Sequence, residues 1–188
     1  MAGTTPRAVI LVEGPSDRAA VETLARRIGR DLDAEGVAVV PMGGATSVRR
    51  FLGTFGPDGL DVTVAGLCDA AEAAYLAGAL ERTGYRATVT VADLPALGFQ
   101  VCRADLEDEL IRAAGLATAE EVLDGEGELA SFRRMQRQPA QRGRRAEDQL
   151  RRFIACGSGR KPRYARLLAE ALELSQTPPP LAAVLAAV

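Results

Sequence analysis

Short apolar runs alternate with segments of helical spacing along the first 115 residues. The apolar runs predict five strands, at residues 8–12, 37–42, 62–68, 87–91 and 99–102. The segments between them predict helices at residues 14–30, 46–55 and 70–82, and a further helix begins within "ADLEDELIRAA". Strands that alternate with helices of ten or more residues form βαβ units. We therefore expect an α/β fold, with a mainly parallel sheet flanked by helices.

The strand signals end near Gly115. Helices are predicted at residues 119–135, 146–155 and 162–172. The segment "RQPAQRGRR", residues 137–145, shows neither the helical nor the strand period of apolar residues and contains proline and glycine, which predicts a mobile loop. A short apolar tail follows "TPPP" and should pack back on the body. The sequence thus predicts a core over residues 1–115 and a helical, arginine-rich extension over residues 116–188.

Composition removes several classes of protein. The sequence contains no histidine, which excludes catalytic triads and zinc sites that depend on that residue. Three cysteines without a CxxC pair favour small buried hydrophobes in a reducing compartment: Cys68, Cys102 and Cys156. No apolar run reaches the roughly 20 residues of a membrane span, and no secretory leader is visible. We therefore expect a cytoplasmic protein without a membrane partner.

The net charge of −2 hides a strong asymmetry. Residues 1–130 hold 11 arginines and 21 acids, whereas residues 131–188 hold 12 basic residues and 4 acids. Such a division suits a metal site beside a phosphate-binding surface, and it equally suits a solvated helical face. The candidate nucleic-acid contacts in the basic part are Arg144, Arg145, Arg151, Arg152 and Arg160.

Carboxylates stand where predicted strands end. Glu13 ends the first strand and Asp69 the third, while Glu107 follows the last strand and Asp17 lies one turn into the helix after Glu13. The carboxyl ends of parallel strands share one edge, where α/β proteins bind ligands. Clustered acids repel one another unless a cation neutralises them. Because carboxylates without histidine suit hard cations, the sequence predicts one or two Mg²⁺ or Mn²⁺ ions at this edge.

Each acid also has an ordinary structural interpretation. Asp17 and Glu107 can be helix N-terminal acids that gain from the helix dipole, and Asp105 with Asp108 can be a plain cap. The convergence of several acids on one edge favours the metal site over these separate explanations.

Four motifs in this order resemble a Toprim domain, the metal-dependent catalytic fold of topoisomerases, bacterial primases and certain nucleases. They are "ILVEGPSD", "GLCDAAE", "ADLEDEL" and "GSGRKPRYA". The last two make the sequence similar to the nuclease domain of OLD-family (overcoming lysogenization defect) proteins. The resemblance spans residues 7–172 and implies a Toprim, Rossmann-like fold.

The resemblance also implies roles for single residues. Glu13 becomes a metal ligand or general acid/base, Asp17 and Asp69 become ligands, Glu107 becomes a ligand or supports one, and Lys161 becomes a phosphate-facing catalytic residue. Many Toprim proteins have Asp-x-Asp after the third strand, but here alanines follow Asp69 and only Glu72 could substitute. OLD proteins also carry an ATPase, and this sequence has no GxxxxGK[ST] motif. The chain would then act alone or with a separate ATPase partner.

Lys161 is the only lysine beside 22 arginines, which favours use of its compact ammonium on a phosphate. We therefore expect a Mg²⁺- or Mn²⁺-dependent nuclease. With only 4% aromatic residues, readout of phosphates and shape fits better than base stacking. Three alternatives stay open: a weakened Toprim module that binds nucleic acid or an ATPase, a small structured-RNA maturase, and a small-molecule phosphatase or nucleotidyltransferase. DNA or RNA as partner and a homodimer also stay open.

Overall fold

A four-stranded parallel sheet forms the centre of the protein, within residues 5–157 and 159–188 that the computed structural model describes. The strands are β1 (Ala8–Val12), β2 (Val37–Pro41), β3 (Thr63–Asp69) and β4 (Phe99–Cys102). Their order is β2-β1-β3-β4, and every neighbouring pair is parallel. The predicted α/β fold with a parallel sheet is confirmed.

Helices cover both faces of this sheet. They are α1 (Pro15–Arg27), α2 (Val48–Phe55), α3 (Ala73–Arg82), α4 (Leu106–Gly125), α5 (Leu129–Gln136), α6 (Ala146–Ala155), α7 (Arg160–Ala171) and α8 (Pro179–Ala186). Short 3₁₀ turns precede α2 and α3. Helix α4 bends at Gly115, whose φ of 77° suits a residue without a Cβ. None of the described helices has both the length and the apolar composition of a membrane span.

Strand β1 explains why its sequence is uniformly apolar. All five of its residues are buried, because helices pack on both sides of the sheet. Its side chains alternate between two core clusters: Ile10 belongs to the cluster with α1, α4 and α7, and Leu11 to the one with α2 and α3. On neighbouring β3, a Cβ at Gly66 would lie 2.9 Å from both the Leu11 carbonyl oxygen and the Phe99 ring. Glycine is therefore required for this close packing.

The strand predicted at residues 87–91 is wrong. The chain there forms bends and then a 3₁₀ turn at Val91–Asp93. The Asp93 carboxylate accepts hydrogen bonds from the Thr90 amide at 2.8 Å and the Thr90 hydroxyl at 2.6 Å. This cap turns the chain away from an extended path, and Val89 and Leu94 are buried against the α2–α3 side of the core.

The helices after Gly115 pack on the sheet's own helices. Helix α7 lies along α1, where the Arg27 guanidinium donates to the carbonyls of Ala169 at 2.9 Å and Leu172 at 2.6 Å. These bonds satisfy carbonyls that the end of α7 leaves unpaired. The apolar tail packs back as predicted, since α8 contacts β4 and β3. A boundary near residue 115 coincides with the bend in α4, and the division into two domains stays a prediction.

Two smaller expectations concern the loop and the cysteines. The segment 137–145 is irregular apart from the turn Pro139–Gln141, and the Gln149 side chain donates to the Gln141 carbonyl at 2.8 Å, which anchors it. Cys68 and Cys102 are buried as expected, but Cys156 is exposed. The prediction for Cys156 is wrong because the residue lies just past the end of α6, where the chain leaves the core.

Candidate active site

The carboxyl ends of β1 and β3 place Glu13 and Asp69 on one edge of the sheet. Glu13 follows the last residue of β1, and Asp69 is the last residue of β3, the neighbouring strand. The amides of Gly43 and Gly44 donate to the Glu13 carbonyl at 3.0 and 3.1 Å. The loop after β2 thereby fixes the backbone that carries the Glu13 side chain.

Asp17 turns back toward this edge from the first turn of α1. Its carboxylate accepts a hydrogen bond from the Gly14 amide at 2.7 Å, which holds it over the end of β1. Burial, and then the charges of Glu107 and Glu13, raise the pKa of Asp17 to about 6, against the opposing effect of that hydrogen bond. Asp17 is therefore both a helix cap and a member of a carboxylate group.

Asp69 shows the same crowding more strongly. Burial raises the pKa of Asp69 to about 7, and the charges of Glu13, Asp105, Asp17 and Glu107 add to the rise. The structure thus brings together the four acids that the sequence places at the sheet edge. Their mutual repulsion is the electrostatic condition that a bound cation would relieve.

Glu107 and Lys161 form an ion pair inside this group. Glu107 is only 3% exposed, and its Oε2 lies 3.2 Å from Lys161 Nζ. Glu107 Oε1 is buried and has no hydrogen-bond partner among the described residues. Burial acts to lower the pKa of Lys161, but Glu107 and then Asp105 and Asp17 outweigh it, so that pKa is raised. The ammonium is charged at neutral pH and faces the carboxylates.

The carboxylate oxygens of this group are ligands that suit a hard divalent cation, although they do not surround a single point. Across residues 5–157 and 159–188, no three Asp, Glu or Cys side chains are close enough to hold an ion as they stand. Mg²⁺ usually keeps several waters and binds through one or two carboxylates, so a wider arrangement suits it. The unpartnered Glu107 Oε1 and the raised pKa values of Asp17 and Asp69 indicate where positive charge is lacking.

Glu72, the acid expected to replace the second aspartate, is not among the charges that raise the pKa values of Asp17 and Asp69. It belongs to the 3₁₀ turn after β3 and lines a small apolar cavity with Cys68 and Tyr75. Its charge raises the pKa of Cys68, after burial and Asp69, whereas the charges that raise the pKa of Asp69 come from the other acids. A role for Glu72 as a ligand stays a prediction.

Asp105 was expected only to cap a helix, but it also lies close to the carboxylate group. It caps α4 as expected, accepting a hydrogen bond from the Asp108 amide at 2.9 Å. Its other oxygen accepts from Arg151 Nε at 2.7 Å, and its charge raises the pKa of Asp69. The available signal was its position three residues after β4 on the ligand-binding edge.

The five predicted nucleic-acid contacts divide into two groups. Arg151 is held by Asp105, and Arg160 is held by Glu128 at 2.8 Å and by the Phe153 ring at 4.2 Å. These two guanidinium groups are engaged within the protein.

The other three arginines face solvent. Arg144 donates only to the Ala140 carbonyl, and Arg145 is 77% exposed with a 3.5 Å contact to Glu147. Arg152 is exposed and has no side-chain hydrogen bond or ion pair within the described chain. Binding of nucleic acid by any of the five stays a prediction.

Comparison with known proteins bears on the family and the fold. The family model "Overcoming lysogenization defect protein-like, TOPRIM domain" matches residues 6–70. The C-terminal region of the Xanthomonas campestris pv. campestris OLD protein superposes with a TM-score of 0.75 at 27% identity, covering 97% of this chain and 92% of that one. The C-terminal region of the Burkholderia pseudomallei OLD protein gives a TM-score of 0.72 at 20% identity, covering 98% and 97%. No curated protein sequence matches significantly.

The family match identifies a Toprim domain of the OLD-like type over residues 6–70, and the parallel sheet agrees with that class of fold. Within that class it is close to the C-terminal region of OLD proteins, whose fold it shares over nearly its whole length. The resemblance first drawn from the four sequence motifs is thereby confirmed.

Proposed function

We propose that this protein is a Mg²⁺- or Mn²⁺-dependent phosphodiesterase that cleaves DNA or RNA. The observation that carries the proposal is the convergence of Glu13, Asp17, Asp69 and Glu107 on one sheet edge, with the Lys161 ammonium facing them. The match to an OLD-like Toprim domain supports the same reaction class.

The residues would have the following roles in the reaction. Glu13, Asp69 and Asp17 would hold the metal, which when bound supplies an activated water and offsets charge on the phosphate. Glu107 holds Lys161 through one oxygen, which keeps the ammonium aimed at the edge. Lys161 would stabilise negative charge as it develops on the phosphate oxygens. Glu13, which directly follows the buried strand β1, would serve either as such a ligand or as the base that accepts a proton from the attacking water.

A catalytically weakened module that binds nucleic acid or a separate ATPase is the second candidate. Two observations favour it: Ala71 stands where many Toprim proteins have an aspartate, and the described acids do not form a closed cage. Glu107 and Lys161 favour the enzyme, because a buried carboxylate with an unpartnered oxygen costs stability and needs a reason.

A metal-dependence panel separates the two candidates. Supercoiled plasmid, linear DNA and structured RNA are incubated with Mg²⁺, Mn²⁺ or EDTA, and Glu13→Gln is the matched inactive variant. The enzyme predicts cleavage of at least one substrate by wild type with a divalent ion, and none by Glu13→Gln. Binding of a substrate without cleavage under any of these conditions would favour the weakened module.

A further inference from the structure

A groove of about 300 Å³ opens between the start of α4 and the start of α6. Four arginines line it: Arg103, Arg112, Arg145 and Arg151. Three acids also line it: Asp108, Glu147 and Asp148. The groove therefore offers an excess of positive charge beside an edge crowded with carboxylates.

The four arginines differ in how far the protein already uses them. Arg112 contacts Glu109 at 2.6 Å, and Arg151 is held by Asp105. Arg103 has no side-chain hydrogen bond or ion pair with any described residue. Arg145 is 77% exposed, and its one ion pair within the described chain is a 3.5 Å contact to the partly buried Glu147. Arg103 and Arg145 are thus the two cations available to a ligand.

Arg103 is the cation of the groove that lies next to the carboxylates. Asp69 pairs in register with Cys102, and Arg103 is the following residue. Because neighbouring strands are about 4.8 Å apart, the backbone of Arg103 lies within roughly 10 Å of that of Asp69. A nucleic-acid strand advances about 3.4 Å per nucleotide along a duplex axis, so this separation corresponds to a few nucleotides.

A buried carboxylate fixes this corner of the groove. Glu109 is only 3% exposed; its Oε1 accepts a hydrogen bond from the Arg103 amide at 2.7 Å, and its Oε2 pairs with Arg112. The pair between Asp105 and Arg151 fixes the wall between groove and carboxylate edge. The backbone at Arg103 is therefore held in place, whereas its side chain makes no hydrogen bond or ion pair with a described residue.

We propose that this groove binds a backbone phosphate of the substrate strand through Arg103 and Arg145, a few nucleotides from the phosphate at the carboxylate edge. The inference rests on the proposed function, because it assigns the path of the same substrate. Arg103 lies in the acidic half of the sequence, outside the basic stretch after residue 130. The strand would thus run from the sheet edge over Arg103 toward the start of α6.

Binding measured without metal tests the groove apart from catalysis. A short fluorescent single-stranded oligonucleotide, as DNA and as RNA, is titrated in EDTA against wild type, Arg103→Gln and Arg145→Gln. The control is Arg134→Gln, which removes an exposed arginine of α5 that does not line the groove. Each groove variant should lose about 10- to 100-fold in affinity, as for a lost hydrogen bond to a charged group. The salt slope should also fall by about 0.7. The control should stay within about twofold.

Neutral phosphates locate the contact. In a series of oligonucleotides, each carries one uncharged methylphosphonate at a different position. Wild type should lose affinity at one or two positions, and the penalty there should be smaller in Arg103→Gln, since one of the two partner charges is already gone. A penalty as large in Arg103→Gln as in wild type, a loss no larger than that of Arg134→Gln, or no binding by wild type would overturn the proposal.

Two further readouts separate the possible failures. Inorganic phosphate is titrated against the same variants, and a loss of phosphate affinity in Arg103→Gln without a loss of strand affinity would assign the groove to a free anion and refute the strand path. If strand binding behaves as expected but no divalent ion supports cleavage, the nuclease proposal fails and the groove stands. If cleavage occurs and Arg103→Gln binds and cleaves as wild type does, the nuclease stands and the groove fails.

Discussion

Asp69→Asn should stabilise the metal-free protein at alkaline pH, although it removes a candidate metal ligand. Burial, and then the charges of neighbouring acids, raise the pKa of Asp69 from 3.8 to about 7. The folded protein therefore holds this proton more tightly than the unfolded chain does. The resulting stabilisation is fully present below about pH 4 and is lost as the pH rises through about 7. Asparagine stays neutral and avoids that loss.

The rise in the pKa of Asp69 sets the size of the expected change in the free energy of unfolding. A rise of about 3 pKa units corresponds to a ceiling of about 4 kcal/mol at a pH above both values. Asp69 is only partly buried, so solvent screening reduces this to about 1–2 kcal/mol. Asp17, with a pKa raised to about 6, should contribute a smaller loss at a lower pH.

Urea denaturation in EDTA at pH 5 and pH 8 measures this prediction. Asp69→Asn should exceed wild type by about 1–2 kcal/mol at pH 8 and by less at pH 5, where wild type still keeps part of this stabilisation. Glu121→Gln, which changes an exposed acid on α4, should show no such dependence. Added Mn²⁺ should reverse the order at pH 8, because it stabilises wild type more than the variant. An Asp69→Asn protein no more stable than wild type at pH 8 would refute the carboxylate-crowding argument.

The remaining predictions concern the metal, the lysine and the arginines. Mn²⁺ at a hundredfold excess over its dissociation constant should stabilise wild type by about 2.7 kcal/mol, and Glu13→Gln should lose most of the rise in melting temperature; no rise in wild type would contradict the metal site. Lys161→Ala should slow single-turnover cleavage about 10²- to 10³-fold, and a wild-type rate would remove its catalytic role. Arg152→Gln should lower the salt slope of duplex binding by up to about 0.9, whereas Arg160→Gln should chiefly lower thermal stability, because its guanidinium is engaged by Glu128; the reverse pattern would refute this division.

The sheet could be predicted from sequence wherever burial is complete. Residues 8–12 were located to the residue, because a strand covered on both faces must be continuously apolar. Residues 99–102 were also located to the residue, although Gln100 and Val101 are only partly buried. Residues 87–91 have the same β-branched composition but were misassigned. The conformation of this segment depends on the hydrogen bond that the Asp93 carboxylate accepts from the Thr90 amide. This bond competes with the backbone hydrogen bonds of a β-sheet, and composition alone does not show which of the two is more stable.

The candidate site was predictable where a topological rule applied. Glu13 and Asp69 follow from the rule that parallel strands end at one edge. The pairing of Arg151 with Asp105, 46 residues earlier, has no local signal, because it depends on how α6 docks against α4. Whether an arginine is engaged or available is decided by such packing, which is why charge runs alone did not separate Arg160 from Arg152.

The geometry around Glu107 gives a physical reason for the single lysine. An arginine facing a carboxylate tends to bond both oxygens at once, whereas an ammonium is a point charge that can leave one oxygen unbonded. Lys161 contacts only Oε2 of Glu107, and the buried Oε1 keeps no partner within the described chain. In Lys161→Arg, the guanidinium should therefore bond Oε1 as well, so that this oxygen cannot bind a cation and the Mn²⁺-induced stabilisation is reduced. In Lys161→Ala, the Mn²⁺-induced stabilisation should be unchanged or larger. Melting curves with and without Mn²⁺ decide the point, and equal metal shifts in the two variants would show that Glu107 serves the lysine alone.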